Sequence, residues 1–208
     1  MPNWFFLLMS VFFLLIPSRM DHIFFDGVKK SHLLVVLPMM ALFGFHESSE
    51  LFDGFYVNYG GCVIPLIYAL YAWCTLKRAA AIRCALGAFL GAISCHMAIY
   101  TFGAWADAYF YHEELLRPMV AMVYTLGFCR NATESMITYT LCYLTSSAVG
   151  YADQVIFQEA AYVSVGSGLG FTFLIVGAVI LFLLYRVMAA LQRNKNHTKQ
   201  AEATASTP

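Results

Sequence analysis

The stretch IRCALGAFLGAISCHMAIYTFGA, residues 82–104, decides the fold class of this chain. An α-helix needs about 20 mostly apolar residues to cross roughly 30 Å of hydrocarbon, and this stretch meets that length. Gly87 and Gly91 form a G-x-x-x-G pattern within it, which lets a neighbouring helix approach closely. The stretch therefore predicts a transmembrane helix that packs through its glycine face.

The composition extends this prediction to the whole chain. Of the 208 residues, 61% are hydrophobic and only 12% are charged, and the mean hydropathy is +0.68. Soluble domains carry about 25% charged residues, so a water-soluble globular enzyme and a disordered chain are both excluded. The net charge is zero, and no clustered basic face points to nucleic acid. We expect an all-α, polytopic membrane protein whose partner is the lipid bilayer.

Seven apolar stretches are candidate spans. The N-terminal residues 1–16 lack the basic region and cleavage site of a signal peptide, so we expect a retained span there. The second contains Pro38 and the sixth is polar, so either is expected to be re-entrant or buried among its neighbours. Residues 1–187 then form one membrane domain, and residues 188–208 form a polar, disordered cytoplasmic tail. The seven stretches are 3–17, 32–46, 55–76, 82–104, 115–130, 134–150 and 160–187.

The charges predict how these spans are oriented. Lys and Arg gather in cytoplasmic loops, and with the N-terminus outside every basic residue except Arg117 falls in an inner loop or the tail. We therefore predict seven spans in a cell (inner) membrane, with the N-terminus outside and the C-terminus inside. Most acidic residues then fall in outer loops, namely Glu47, Glu50, Asp53, Asp107, Glu113, Glu114, Asp153 and Glu159.

A glycine–proline break lies in the third span, at NYGGCVIP, residues 58–65. Gly60 and Gly61 weaken a helix, and Pro65 removes one backbone hydrogen bond. Transporters use such broken helices to bind ions or substrate near the bilayer midplane. The alternative is a kink with close helix packing, since Gly and Pro are common in membrane helices. A second glycine cluster, SVGSGLG at residues 164–170, does not fit a dinucleotide fingerprint and favours packing.

Three ionisable residues on the outward half are candidates for chemistry. His96 lies inside the fourth span, where an ionisable group is costly and marks a functional site unless a neighbour satisfies it. Asp107 and Asp153 follow spans four and six, and two carboxylates sharing a proton could activate water for peptide cleavage. The outer acids, with His46 and His112, are either a solvated face or a divalent-cation site.

The six cysteines predict neither a disulfide framework nor a zinc site. All of them lie in apolar stretches, and none forms a C-x-x-C pair. We expect the cysteines to be small buried thiols. The sequence indicates no cofactor.

One family resemblance rests on the break itself. Asn58-Tyr59-Gly60-Gly61-Cys62-Val63-Ile64-Pro65-Leu66 resembles the Asn-x-Gly-Gly-x-x-Ile-Pro-Leu stretch of an uncharacterised prokaryotic membrane family, the domain of unknown function sixteen-fourteen. Residues 150–153 and 163–168 are similar in order to two later motifs of that family. The family pattern places an Asp after the late glycines, where this chain has Phe171-Thr172. The resemblance implies a membrane helix bundle in a prokaryotic cell and no particular activity.

These observations lead to one hypothesis with two rivals. We expect a transport or permease-like protein whose binding site comprises Asn58, Gly60, Gly61, Pro65, His96, Asp107 and Asp153, and which takes a cation or a small polar solute. The first rival is an intramembrane enzyme, either aspartyl-protease-like or with a metal at its outer face. The second is a structural or assembly protein without a pocket. A homo-oligomer or another membrane partner is compatible with each.

Overall fold

A computed structural model describes residues 30–44, 48–52, 54–110, 115–157 and 163–166, together with 172, 174–181, 183–185, 187–188 and 191. The described chain is mostly helical, as expected. The first candidate span, 3–17, and most of the tail lie outside these residues. The helices are α1 (Lys30–Gly44), α2 (Ile64–Cys74), α3 (Arg78–Phe110), α4 (Leu116–Phe128) and α5 (Ala132–Phe157). Helical residues between positions 172 and 191 are here called the C-terminal helix.

A small sheet is the main departure from an all-α fold. Strand β1 (Ser49–Phe52) pairs antiparallel with β2 (Phe55–Val57), and β2 pairs parallel with β3 (Val163–Val165). Gly54 has a φ of 76° at the hairpin turn, a conformation that glycine adopts without a steric penalty. The predicted spans 55–76 and 160–187 therefore each contain a strand, and the described helical residues of each follow that strand in the sequence.

One helix of the described chain is long and apolar enough to cross a membrane, from Arg78 to Phe102. It overlaps the apolar stretch 82–104 that predicts a transmembrane helix. Four other apolar helices are shorter, namely Leu34–Gly44, Tyr59–Cys74, Leu116–Phe128 and Leu174–Tyr185.

The glycine face of α3 packs inside the molecule, between α4 and α5. A β-carbon added at Gly87 would lie 3.0 Å from Phe128 Cβ and 3.1 Å from Thr138 Cγ2. The prediction of close helix packing at these glycines is confirmed. Other small residues continue this buried face of α3 above and below the glycines, and they are Ala80, Cys84, Ala88, Ala92 and Cys95.

We expect Gly91→Ala to destabilise the fold by about 1–3 kcal/mol, because the added β-carbon would lie 2.7 Å from Cys142 Sγ. Cys142→Ala in the same chain removes that sulfur, so the double variant should recover part of the loss. Unfolding of the detergent-solubilised protein measures both changes. A Gly91→Ala chain as stable as the parent would show that α3 and α5 are not packed at this distance.

Helix α5 is central, because it packs against α2, α3, α4 and β3. Most of its polar residues are buried among neighbours, as the sequence allowed for the sixth span, although Thr145 is exposed. Ser146 and Ser147 each donate a hydrogen bond to Tyr143 O, at 2.9 and 3.0 Å, and Ser135 donates to Ala132 O at 2.8 Å. Hydroxyls that bond within their own helix need no water, so this face can be buried.

Neighbouring helices alternate in direction. Helix α1 runs antiparallel to α2, since the His32 ring meets the Tyr71 ring at 5.6 Å and Gly44 meets Gly60. Helix α4 runs antiparallel to α3, since Gly91 lies beside Tyr124 and Cys95 Sγ donates to Arg117 O at 3.3 Å.

Helix α5 reverses direction again, so that it is parallel to α3. The C-terminal helix is antiparallel to α5, because Gly177 packs against Tyr139 while Tyr185 Oη donates to Cys129 O at 2.9 Å, just before α5 begins. The ends of the bundle consequently differ. One end holds the α2–α3 and α4–α5 turns, and the other holds the sheet.

The exposed surface is unusually apolar, while the interior contains many small residues and several polar ones. Tyr100 is 80% exposed and Val123 is 67% exposed. The largest fully buried side chains, in contrast, are mostly tyrosine, threonine, serine and cysteine. On α3 alone the exposed large apolar residues are Ile82, Leu86, Phe89, Leu90, Ile93, Met97, Tyr100 and Phe102.

Candidate functional site

Asn58 organises the break by capping the turn that follows it. Residues Tyr59–Val63 form a π-helical turn, and Asn58, only 7% exposed, precedes it in an extended conformation. Its Oδ1 accepts a hydrogen bond from Gly61 N at 2.9 Å, and its backbone oxygen accepts one from Cys62 N at 2.9 Å. A side-chain oxygen thus replaces a missing helical acceptor for a buried N–H, which would be costly to leave unpaired.

Gly60 lets the break press directly onto α1. A β-carbon at this position would overlap Met40 O and Gly44 N and would lie 2.6 Å from Gly44 Cα. All three are backbone atoms, which cannot move aside as a flexible side chain can. Any residue larger than glycine would therefore separate α1 from the π turn.

The second glycine cluster contacts the π turn at its Gly166, which lies against Gly61 and Cys62. Asn58 N donates to Val165 O at 3.0 Å, and β2 pairs with β3 from Phe55–Val163 through Val57–Val165. Gly166 has a φ of 78°, and a β-carbon there would lie 2.7 Å from both Cys62 N and Gly61 C. Two interrupted segments from distant parts of the chain are therefore in backbone contact. We call this contact the crossing.

Pro65 is buried in the first turn of α2, directly after the π turn. The two form one helical run, Tyr59–Cys74, because Val63 and Ile64 are helical and Ile64 N donates to Tyr59 O. Proline has no N–H, so Pro65 cannot donate a backbone hydrogen bond to the π turn before it.

His96 and the crossing occupy different parts of the bundle. Helix α3, which carries His96, packs mainly against α4 and α5, whereas the π turn packs against α1 and α2. Within the described residues, His96 is partly exposed. The hydroxyl of the nearby Ser94 lies 2.5 Å from the Tyr124 hydroxyl, across from α3 to α4.

The register of α3 and α5 locates the two aspartates. Arg83 pairs with Glu134, 51 residues away, and Gly87 and Gly91 face Thr138 and Cys142 at the same separation. This register places Asp153, in the last turns of α5, level with Phe102. Asp107 comes later on α3, about 7 Å further along the axis. The side chain of Asp107 lies outside the described residues.

Most of the outer acids and histidines also lie outside the described residues, including His46, Glu47, Asp53, His112, Glu113, Glu114 and Glu159. Glu50 is described, and its Oε1 accepts a hydrogen bond from Gly54 N at 3.0 Å in the β1–β2 turn. In the part of the chain that the structure describes, no group of three His, Cys, Asp or Glu residues is placed to hold a metal ion.

Arg117, the one basic residue assigned to an outer loop, reaches from α4 to α5. A β-carbon at Gly150 would lie 3.2 Å from its Nη2. Its buried Nε has no hydrogen-bond partner among the described residues.

A buried ion pair at the other end of the bundle was not anticipated. Glu134 is 4% exposed, and its two carboxylate oxygens accept from Arg83 Nη2 at 3.1 and 3.2 Å. Arg130 N and Asn131 Nδ2 donate to the same carboxylate, each at 3.1 Å. One carboxylate therefore ties the α4–α5 turn to α3.

The sequence contained a signal for this cluster. Asn131 caps α5, since its Oδ1 accepts from Glu134 N at 2.9 Å while Glu134 bonds back to the turn. This resembles a capping box, Asn-x-x-Glu before an apolar run, except that Glu134 accepts from Arg130 N and from the Asn131 side chain.

Most of the cysteines follow the expectation of buried thiols. Cys84, Cys95, Cys129 and Cys142 are free and buried, Cys62 is partly exposed, and Cys74 is exposed at the end of α2. Three of the buried thiols, those of Cys84, Cys95 and Cys129, bond to oxygens on neighbouring elements, as Cys129 Sγ does to Thr138 Oγ1 at 3.1 Å.

Comparison with family models, with curated proteins and with solved structures gives no match to this chain. The resemblance to the domain of unknown function sixteen-fourteen therefore stays a prediction.

Proposed function

We propose that the chain is a multi-pass membrane protein with a transport or permease-like role, and that the crossing is where a small polar solute or cation is bound. The proposal includes seven spans in a cell (inner) membrane, with the N-terminus outside and the C-terminus inside. The single observation that carries it is the backbone contact between the interrupted segments at Asn58–Cys62 and Val165–Gly166.

The inverted distribution of residues supports placement in lipid. A soluble monomer rarely exposes a contiguous apolar patch beyond a few hundred Å². Here large apolar side chains are exposed on α1, α2, α3, α4 and the C-terminal helix, whereas several serines, threonines and cysteines are buried, among them Ser135, Thr138 and Cys142. In a bilayer both facts have one cause, because lipid solvates large apolar side chains and small or polar residues mediate helix contacts.

The alternating helix directions and the distribution of charge support several crossings. The end of the bundle that contains the α2–α3 and α4–α5 turns carries Lys77, Arg78, Arg83 and Arg130, with Glu134 as its paired acid. The opposite end carries Glu50 and Asp153, with Arg117 as the one described basic residue there. This separation of charge is what the positive-inside rule predicts for a bundle whose basic end faces the cytoplasm.

The crossing supports a binding role because it is irregular backbone held between helices. Non-helical backbone at membrane depth is tolerated where protein buries it or where it lines a cavity, and transporters place substrate sites at such discontinuities. Asn58 and the two glycine segments hold this backbone in a defined shape. Asp107 is proposed to bind a charged solute or to carry a proton in the outward half of the bundle.

Flux measurements test the proposal. We expect the purified chain in proteoliposomes to pass potassium ions or glycerol above the rate of protein-free vesicles. Asn58→Ala should reduce that flux at least tenfold. It also leaves the buried Gly61 N–H without its acceptor, so we expect a loss of about 1–3 kcal/mol of stability, and circular dichroism must show the variant to be folded. Asp107→Asn should reduce it similarly.

Gly127→Ala is the matched control, because nothing lies within 4 Å of a β-carbon at that position. It should leave flux unchanged. Equal flux in the parent chain, in Asn58→Ala and in empty vesicles would exclude a transport role for these two probes at the crossing. Cleavage of a co-reconstituted membrane peptide that is lost in Asp153→Asn would favour the enzyme alternative.

A further inference from the structure

The basic end of the bundle holds three exposed cations around one buried ion pair. Lys77 and Arg78 are exposed at the α2–α3 turn, and Arg130 is exposed at the α4–α5 turn. Arg83 and Glu134 lie between the turns, with side chains 29% and 5% exposed. Because Glu134 accepts hydrogen bonds from both Arg83 and Arg130 N, the two turns are held side by side.

The charges of this group do not cancel. Glu134 is the one acid that the described residues place at this end, and Arg83 already neutralises it. Lys77, Arg78 and Arg130 therefore present three positive charges to the surroundings. A cluster of this kind at a membrane surface attracts anionic lipid, and each Lys or Arg near the surface is worth roughly a factor of five in binding.

The apolar and aromatic neighbours place these cations at headgroup depth. Ile82 and Leu86 are exposed on α3 directly after the basic turn, so lipid-facing surface begins where the charges end. Tyr71, which lies on α2 one helical turn before the α2–α3 connection, is 54% exposed. Trp73 donates its indole N–H to Ala81 O at 2.9 Å, which fixes an aromatic ring beside the turn. Tyr and Trp are enriched at this depth in membrane proteins.

We propose that this basic end, formed by Lys77, Arg78 and Arg130 around the Arg83–Glu134 pair, binds the headgroups of anionic phospholipids. The inference rests on the proposed placement in a membrane but not on transport. It predicts a selective lipid interaction at one end of the bundle, which a general apolar surface would not give.

Native mass spectrometry of the full chain, released from detergent in the presence of equal phosphatidylglycerol and phosphatidylcholine, tests this inference. We expect the parent chain to retain phosphatidylglycerol preferentially. The triple variant Lys77→Gln, Arg78→Gln, Arg130→Gln should lose most of that preference. The control Lys77→Arg, Arg78→Lys, Arg130→Lys keeps every charge and should keep it.

The outcomes separate this inference from the proposed function. Equal retention of the two lipids by the parent chain, or an unchanged preference in the triple Gln variant with its helical circular dichroism intact, would overturn lipid binding at this end. Flux is measured independently, so an inactive chain that still prefers phosphatidylglycerol would contradict transport alone. If the triple Gln variant does not fold, Lys77→Gln with Arg78→Gln, which leaves the α4–α5 turn untouched, must still reduce the preference.

Discussion

Gly60→Ala is expected to destabilise the protein more than Gly91→Ala does, because the added β-carbon would meet backbone atoms and not a side chain. The added β-carbon would overlap backbone atoms of Met40 and Gly44, so α1 and the π turn must separate. Overpacking costs about 1–3 kcal/mol where side chains can yield. Backbone cannot yield in this way, so we expect about 3 kcal/mol or more. Unfolding of the solubilised protein, followed by circular dichroism, measures the change.

Gly127→Ala provides the comparison, since it adds the same methyl group where there is open space. It should be neutral or stabilising by up to about 1 kcal/mol, because alanine favours helix over glycine. If Gly60→Ala and Gly127→Ala were equally stable, the close approach of α1 to the break would be wrong.

Glu134→Gln is the second large effect. Removing one partner of a buried ion pair typically costs about 3–5 kcal/mol, because the remaining charge loses its compensation. Here the change leaves Arg83 without its carboxylate and weakens the bonds from Arg130 N and Asn131. We expect loss of stability in that range, measured by the same unfolding assay.

A double-mutant cycle with Arg83→Met separates the pair from the cap. The double variant should be less unstable than the sum of the two single variants, because no unpaired charge remains. Glu50→Gln is the control, since Glu50 is exposed and bonds only to the adjacent turn at Gly54. It should change stability by less than about 1 kcal/mol. Strict additivity of the two single changes would contradict a direct interaction between Arg83 and Glu134.

The helices were the predictable part of this fold, because their signal is local. The stretch 82–104 lies within α3, and 115–130 and 134–150 correspond to α4 and α5 to within a few residues except at the end of α5, which continues to Phe157. The glycine face of α3 was also predictable, because Gly87 and Gly91 stand four residues apart. Spacing on one helix is enough to define such a face.

The sheet was not predictable in the same way, because β2 pairs with β3 over a hundred residues away. Phe55, Tyr56 and Val57 are as apolar as a span, so hydropathy alone does not distinguish strand from helix there. Two local clues were present. Phe, Tyr and Val favour strands, and Pro65 is typical of the first turn of a helix.

The candidate site was predictable only in part, because some of its contacts are local and others join distant parts of the chain. Asn58, Gly60 and Gly61 do act as one structural unit, since all belong to the capped π turn. Its contact with Val165 and Gly166 depends on tertiary packing. The Glu134 cluster likewise needs three elements to meet, although its Asn131-x-x-Glu134 cap was visible in the sequence.

Topology mapping with alkaline phosphatase, which is active only when exported, tests the central claim most directly. Fusions after Lys77 and after Arg130 should be inactive, because both turns belong to the basic end that we place in the cytoplasm. Fusions after Gly54 and after Asp153 should be active, because both positions belong to the opposite end. Phosphatase activity that is the same at all four positions would contradict a bundle that crosses the membrane repeatedly.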